Sequence, residues 1–329
     1  MVQPESARSP PPRVVGRLSI DFILRAVRCV THHLDGDILG GLVVLALLQR
    51  GFSQAPASPS DTQNSAVARP ISVKSLARSL KSPPETMRRC VARLIAKGWC
   101  ARIDRQGIVL SQSAEARART SALMVDIRDA FSAMLADLRS IGFDFDLMDR
   151  APDAGRARDC DERNSAQNPK KANAQSSAGF DRIMLNFGLR VVDCGTTPFG
   201  NDYVLTCVFS AIMSANASPF AYDSREAWRY GSHDTPPPDN ARRPASLVEI
   251  SQLLGIPYET ARRYVNSLVA RGHCMRDARK GLVIPMELLQ SPISLMTGME
   301  IVGRFVQMIG ELKHLGFDFG ALQTTREGR

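Results

Sequence analysis

Residues 69–110 read RPISVKSLARSLKSPPETMRRCVARLIAKGWCARIDRQGIVL, and residues 243–284 read RPASLVEISQLLGIPYETARRYVNSLVARGHCMRDARKGLVI. At this offset of 174 residues, 18 of the 42 aligned positions are identical. The same offset carries Gly142-Phe143-Asp144-Phe145 onto Gly316-Phe317-Asp318-Phe319. Self-similarity over such a distance marks a duplicated structural unit and outranks any local reading. Upstream the register changes to 165. FILRAVRCV (Phe22 to Val30) then falls on FGLRVVDCG (Phe187 to Gly195), and Asp37 falls on Asp202. The nine-residue difference belongs to one loop, which is longer in the second copy, where AYDSREAWRYGSHDTPPPDNA is rich in turn formers.

The expected organisation follows from the repeat. Residues 1–16 form a disordered tail, 17–147 the first copy, 148–181 a flexible linker, 182–321 the second copy and 322–329 a second tail. The linker, with LMDRAPDAGRARDCDERNSAQNPKKANAQSSAG around it, is nearly free of large apolar side chains. A length of 329 residues also suggests about two domains. Hydrophobic residues at 44% and charged residues at 23% are ordinary for folded globular chains, so collagen-like and wholly disordered classes are excluded. Aromatics make up only 6%, which throws the core onto Leu, Ile, Val, Met and Ala.

Each copy shows one order of elements. An apolar helix (Asp37 to Gln49; Asp202 to Ser214) precedes a short helix (Val73 to Leu80; Leu247 to Leu254) with Ser72 or Ser246 at its N-cap. A tight break at Lys81-Ser82-Pro83 or Gly255-Ile256-Pro257 leads to a third helix (Pro84 to Lys97; Tyr258 to Arg271) closed by Gly98 or Gly272. A strand–turn–strand signal follows, with Gly107 or Gly281 in the turn. A long amphipathic helix ends the copy, its stripe being Ile127, Phe131, Met134, Leu138 and Ile141, matched by Ile301, Phe305, Met308, Leu312 and Leu315. The fold class expected is mainly α with small β-hairpin wings: two tandem winged helix-turn-helix domains related by internal duplication.

SLARSLKSPPETMRRCVARLIAKGW and, more closely, LVEISQLLGIPYETARRYVNSLVARGH resemble the helix-turn-helix of bacterial winged-helix transcriptional regulators, similar to the IclR and MarR groups. Lys81 departs from the pattern where the second copy has Gly255. The resemblance spans about 45 residues per copy and implies double-stranded DNA as partner. No effector domain of the IclR kind accompanies it, so ligand control is not carried over.

At 100° per residue, Met87, Cys90, Val91, Leu94 and Ile95 share an inner face, and Glu85, Arg89, Ala92, Arg93 and Ala96 an outer one flanked by Thr86 and Arg88. In the second copy Glu259, Arg263, Asn266 and Ser267 point outward, flanked by Thr260 and Arg262, with Tyr258 at the helix start. A helix of this kind enters the major groove, where an arginine fork matches guanine O6 and N7. Glu85 and Glu259 favour the positive helix terminus; accepting from a cytosine amino group is the alternative. Arg102 and Arg105 in the first wing, with Arg276, Arg279 and Lys280 in the second, are placed to grip the DNA backbone or minor groove. The bland reading of all these charges is a solvated surface.

The net charge of +9 is compatible with nucleic acid without demanding it. The seven cysteines (Cys29, Cys90, Cys100, Cys160, Cys194, Cys207 and Cys274) contain no C-x-x-C, which argues against a disulfide framework and a cysteine zinc site. His32, His33 and His273 lack metal-ligand spacing, and no phosphate loop, nucleophile elbow or paired-carboxylate motif is present. No metal, cofactor or enzymatic activity is expected. MVQPESARSPPPRVVG lacks the apolar run of a signal peptide, and Ile38 to Leu48 is about half a membrane span, so a cytoplasmic, nucleoid-associated protein without a membrane partner is expected. The glycine of G-F-D-F reads as a helix C-cap with Phe folding back on the core, or alternatively as part of a dimer seam. Trp228 and Tyr230 read as local cover or a partner contact.

The leading functional expectation is a sequence-specific transcriptional regulator in which one chain forms an internal pseudo-dimer through its closing helices. A plasmid-type replication initiator and a tandem winged-helix interaction scaffold are the alternatives. Homo-oligomerisation of whole chains stays open.

Overall fold

The computed structural model describes residues 11–53, 69–103, 106–145, 169–277 and 281–322. The chain is mainly α-helical with two small antiparallel hairpins. In the first half α1 (Pro12–His33), α2 (Ile38–Ser53), α3 (Val73–Ser79) and α4 (Pro84–Ala96) precede β1 (Cys100–Ile103), β2 (Gly107–Leu110) and α5 (Ala114–Ser140). In the second half α6 (Pro169–Thr196), α7 (Tyr203–Ala221), α8 (Ser224–Arg229), α9 (Leu247–Leu254) and α10 (Tyr258–Ala270) are followed by β3 (Met275–Arg276), β4 (Leu282–Val283), α11 (Met286–Leu289) and α12 (Pro292–His314).

Local chemistry explains most boundaries. Ser72 Oγ accepts from the Ser75 amide at 3.0 Å, and Ser246 Oγ from the Glu249 amide at 3.1 Å. These satisfy amides that have no partner within the helix. Asp37 and Asp202 play the same part for α2 and α7, accepting from the Gly40 and Leu205 amides at 2.9 and 3.0 Å. Each hairpin gains a third, isolated bridge from the segment before α3 or α9: Ile71 pairs with Ile108 and Ala245 with Leu282. That pairing accounts for Gly107, because a Cβ there would lie 2.4 Å from the Ile71 carbonyl oxygen.

Two boundaries differ from expectation. The tail ends earlier, since α1 begins at Pro12 and Val14 and Val15 are buried. The stretch read as linker is helical from Pro169 onward, and Asp181 at its end is buried. The remainder, with both outer tails, lies outside the described residues apart from Pro11 and Leu322.

The first helices α1 and α6, which the repeat pattern alone does not mark as elements, organise the molecule. Helix α1 packs on α5 of its own half but also on α7, α9 and α12 of the other. Reciprocally, α6 packs on α12 and crosses to α2. Each first helix therefore bridges the two halves, and the larger core cluster draws side chains from both. At its centre Phe22, Phe131, Phe187 and Phe305 form a ring cluster with centroids 5.2–6.4 Å apart. These are two repeat-related pairs, Phe22 with Phe187 and Phe131 with Phe305. The closing helices α5 and α12 are joined chiefly through α1, which touches both, rather than along their length.

The G-F-D-F repeat does both things expected of it. Gly142 and Gly316 adopt φ of 87° and 80°, and the Phe143 and Phe317 amides bond back to Leu138 and Leu312 at 3.0 Å, closing α5 and α12. The two copies also meet, Phe145 stacking on Phe319. Trp228 donates to the Ile141 carbonyl of the first half at 2.6 Å, and Tyr230 lies against Phe220 of its own half, so the long second-half loop packs on both. Among the described residues one helix, α7, is long and apolar enough to cross a membrane, and 61% of its apolar stretch is buried within the protein.

Candidate nucleic-acid interface

Helix α4 is anchored by Met87, Cys90, Val91 and Leu94, all buried. Behind its end sits Trp99, with the Arg119 guanidinium 5.0 Å over the indole. With that face spent on packing, Glu85, Thr86, Arg88, Arg89, Ala92 and Arg93 face solvent. The second half repeats the arrangement: Ala261, Val265 and Leu268 are buried, and Tyr258, Glu259, Arg262, Arg263 and Asn266 are exposed. Thr260 and Ser267 are half-buried. Arg102 on β1 and Arg276 on β3 are exposed on the hairpins that follow. Arg105, Arg279 and Lys280 lie outside the described residues.

The arginines are not bare. Arg88 donates through Nε and Nη2 to the two Glu85 oxygens, both at 2.8 Å, and Arg89 Nε reaches the same carboxylate at 2.9 Å. Those bonds pull the Glu85 carboxyl down to about 2. On α10, Arg262 Nε pairs with Glu259 at 2.8 Å, while the Arg263 guanidinium lies 5.2 Å over the Tyr264 ring. Arg276 Nη2 approaches Asn266 Oδ1 at 3.4 Å, linking hairpin to helix. The Arg88 and Arg89 side chains remain 66% and 72% exposed. Their partner sits on the same helix, so the pairs are solvent-screened contacts that a phosphate can displace rather than buried locks.

Arg93 differs. It pairs at 2.9 Å with Asp37, the carboxylate that also caps α2. Lys97 does likewise with Asp35 at 2.8 Å. The Asp35–Asp37 turn thus grips the far end of α4. Sequence reasoning passed over Lys97; the signal was its i, i+4 spacing from Arg93 on an outward face.

The turn before each of these helices is held by the opposite half. Thr31 Oγ1 on α1 donates to the Leu254 carbonyl at 2.8 Å, where α9 ends. The Tyr203 hydroxyl donates to the Leu80 carbonyl, where α3 ends. Leu80 and Leu254 are repeat-related. Gly36, between Asp35 and Asp37, abuts Gly255 and Pro257 closely enough that a Cβ would meet them at 3.7 and 3.8 Å. Helices α4 and α10 are therefore fixed relative to each other by direct contacts between the halves.

Among the described residues no group of three or more His, Cys, Asp or Glu side chains is placed to hold a metal ion. The described cysteines are free, and all but the half-buried Cys29 are buried. His33 Nε2 lies 2.7 Å from Asp126 Oδ2. No family model, curated protein or solved structure matches the chain.

Proposed function

We propose that the protein is a sequence-specific double-stranded DNA-binding transcriptional regulator, built from tandem winged helix-turn-helix units and acting by binding rather than catalysis. The observation that carries this reading is the pair α4 and α10. Each spends its apolar side on the core and turns arginine together with Thr or Asn toward solvent, beside a hairpin bearing an exposed arginine. Such a surface combines phosphate neutralisation with side chains able to address base edges.

The bridging of the halves by α1 and α6 makes a single chain behave as an intertwined pseudo-dimer, a role that separate subunits usually share. The outer faces are not identical: Pro84, Ala92 and Arg93 stand where the second half has Tyr258, Asn266 and Ser267. The target is accordingly an imperfect palindrome, and the protein works in the cytoplasm at the nucleoid. The test is selection of bound sequences from a random duplex library, followed by anisotropy titrations at several salt concentrations. Enrichment of a two-part motif supports the reading, and recovery of unenriched sequence contradicts it.

A further inference from the structure

A mostly apolar cavity of about 350 Å³ lies between α1 of the first half and α7 and α12 of the second. That volume falls within the roughly 300–1,000 Å³ typical of small-molecule sites. Its apolar wall includes Ile20, Leu24, Phe209, Met213, Phe220 and Ile301. The polar groups in the wall are unusual. Arg17 Nε, Arg242 Nε, His233 Nε2 and His273 Nδ1 all belong to lining residues, and all four atoms are buried without a hydrogen-bond partner. Arg242 is 6% exposed overall. Buried polar atoms normally find partners, so four unsatisfied ones around one cavity call for an explanation.

Charge narrows the explanation. Arg13, Arg17 and Arg242 border the cavity, and no Asp or Glu does. Asp21 accepts from Ser214 and Tyr222; Arg242 spends Nη2 on Asp239 and Nη1 on the Ile284 carbonyl, and Arg17 spends Nη2 on the Ala227 carbonyl, so in each it is Nε that is left without a partner. Burial, reinforced by Arg13, pulls Arg17 down to about 10, so it keeps its charge at neutral pH. Its guanidinium lies 5.0 Å over the Phe220 ring, at the boundary between the cationic and apolar parts of the wall.

The first half has a comparable space of about 430 Å³, lined by Leu48, Phe52, Leu110 and Met124 where this one has Met213, Ala217, Ile284 and Gly298, but the polar groups differ. The position of His273 is held in the first half by Trp99, whose large indole is 2% exposed. Arg242 has Ala68 as its counterpart at the same offset. The second half has thus exchanged a bulky apolar filler for a smaller polar ring and added a buried cation.

We propose that this cavity binds an amphipathic carboxylate, its apolar body against α7 and α12 and its carboxylate received by Arg17 and Arg242. The proposal rests on the cavity alone; control of DNA binding by such a ligand rests in addition on the regulator reading. The site also touches the carrier of the proposed interface, because α10 packs on α7.

Titration calorimetry of the full chain with decanoate, 2-naphthoate, 1-decanol and decylamine tests it without DNA. At least one of the two carboxylates is expected to bind saturably at one per chain, roughly tenfold or more tighter than the alcohol or the amine. Arg17→Met should bring the carboxylate down to the level of the alcohol. Gly16→Leu supplies a second variant: Gly16 lines the cavity on a helix, and a Cβ there meets nothing within 4 Å. It should abolish binding while leaving the melting temperature at or above that of the parent. Absence of saturable binding by both carboxylates, equal affinity for all three head groups, or unchanged binding by the Gly16→Leu protein each overturns the proposal.

Discussion

Phe145 stacks on Phe319 with ring centroids 4.6 Å apart and planes inclined by 20°. The two are 174 residues apart and equivalent in the sequence repeat, so corresponding ends of the two copies meet here. Beside that contact the Arg139 guanidinium donates to the Phe319 carbonyl at 2.8 Å, tying the end of α5 to the chain beyond α12. This contact is one expression of a core that neither half owns.

Unfolding should therefore be a single transition. Phe145→Ala removes a 5% exposed ring and should cost about 3 kcal/mol, lowering the urea midpoint recorded by helix content and by tryptophan fluorescence alike. Trp99 lies in the first half and Trp228 in the second, so two separated transitions would show that the halves fold independently.

Arg128 binds Asp181 through two 2.6 Å hydrogen bonds that join α5 to α6. The Asp181 side chain is 2% exposed. Arg128→Leu strands a buried carboxylate and should destabilise by about 3 kcal/mol. Adding Asp181→Asn should restore much of the loss, a coupling that a double-mutant cycle measures directly.

Lys81 adopts φ of 46°, a region that side chains disfavour, whereas its counterpart Gly255 has φ of 62°. Lys81 also pairs with Asp193 on α6 at 2.7 Å. Both Lys81→Gly and Lys81→Ala lose that pair, and only glycine relieves the backbone. The glycine variant should be about 1 kcal/mol more stable than the alanine variant by chemical denaturation.

Burial raises the Asp21 carboxyl above its ordinary value, although Ser214 and Tyr222 donate to it and Arg25 lies nearby. A folded state that holds this proton more tightly than the unfolded chain loses stability as pH climbs from the unfolded value through the folded one. Asp21→Asn lacks that loss. Its melting temperature relative to the parent should improve from about pH 4 upward until Asp21 is fully ionised in the folded protein. A constant difference across that range would contradict the account.

Much of this architecture was legible because repeat and local chemistry agree. Ser72 and Ser246 announce their caps, and Gly98 and Gly272 their helix ends. The inner faces of α4 and α10 follow from 3.6-residue periodicity and match the buried residues. What could not be read was tertiary. Helices α1 and α6 carry a usable pattern, with Val15, Leu18 and Phe22 in one and Met184, Phe187 and Val191 in the other, yet nothing in that pattern says that each packs on the opposite half. Likewise Glu85 announced an acid at a helix start, but its grip on both Arg88 and Arg89 depends on rotamers. The cavity, with His273 in its wall where the first half has Trp99, takes shape only once the surrounding helices are placed.

Glu85 and Glu259 hold positive charge that DNA would otherwise meet. Replacing both with Gln frees Arg88, Arg89 and Arg262 and removes two charges that repel phosphate. Affinity for random duplex should rise several-fold at moderate salt. An unchanged or weaker affinity would mean that these carboxylates orient the arginines productively.

The most direct test of the central claim compares the parent with the Arg88→Ala, Arg89→Ala, Arg262→Ala, Arg263→Ala protein in anisotropy titrations on the selected duplex across a salt series. The account predicts that the parent binds with a steep inverse dependence on salt. It also predicts that the fourfold variant, with helix content and melting temperature intact, loses at least about a hundredfold in affinity and roughly two or more units of logarithmic salt slope. Equal affinity and equal slope for the two proteins would contradict it.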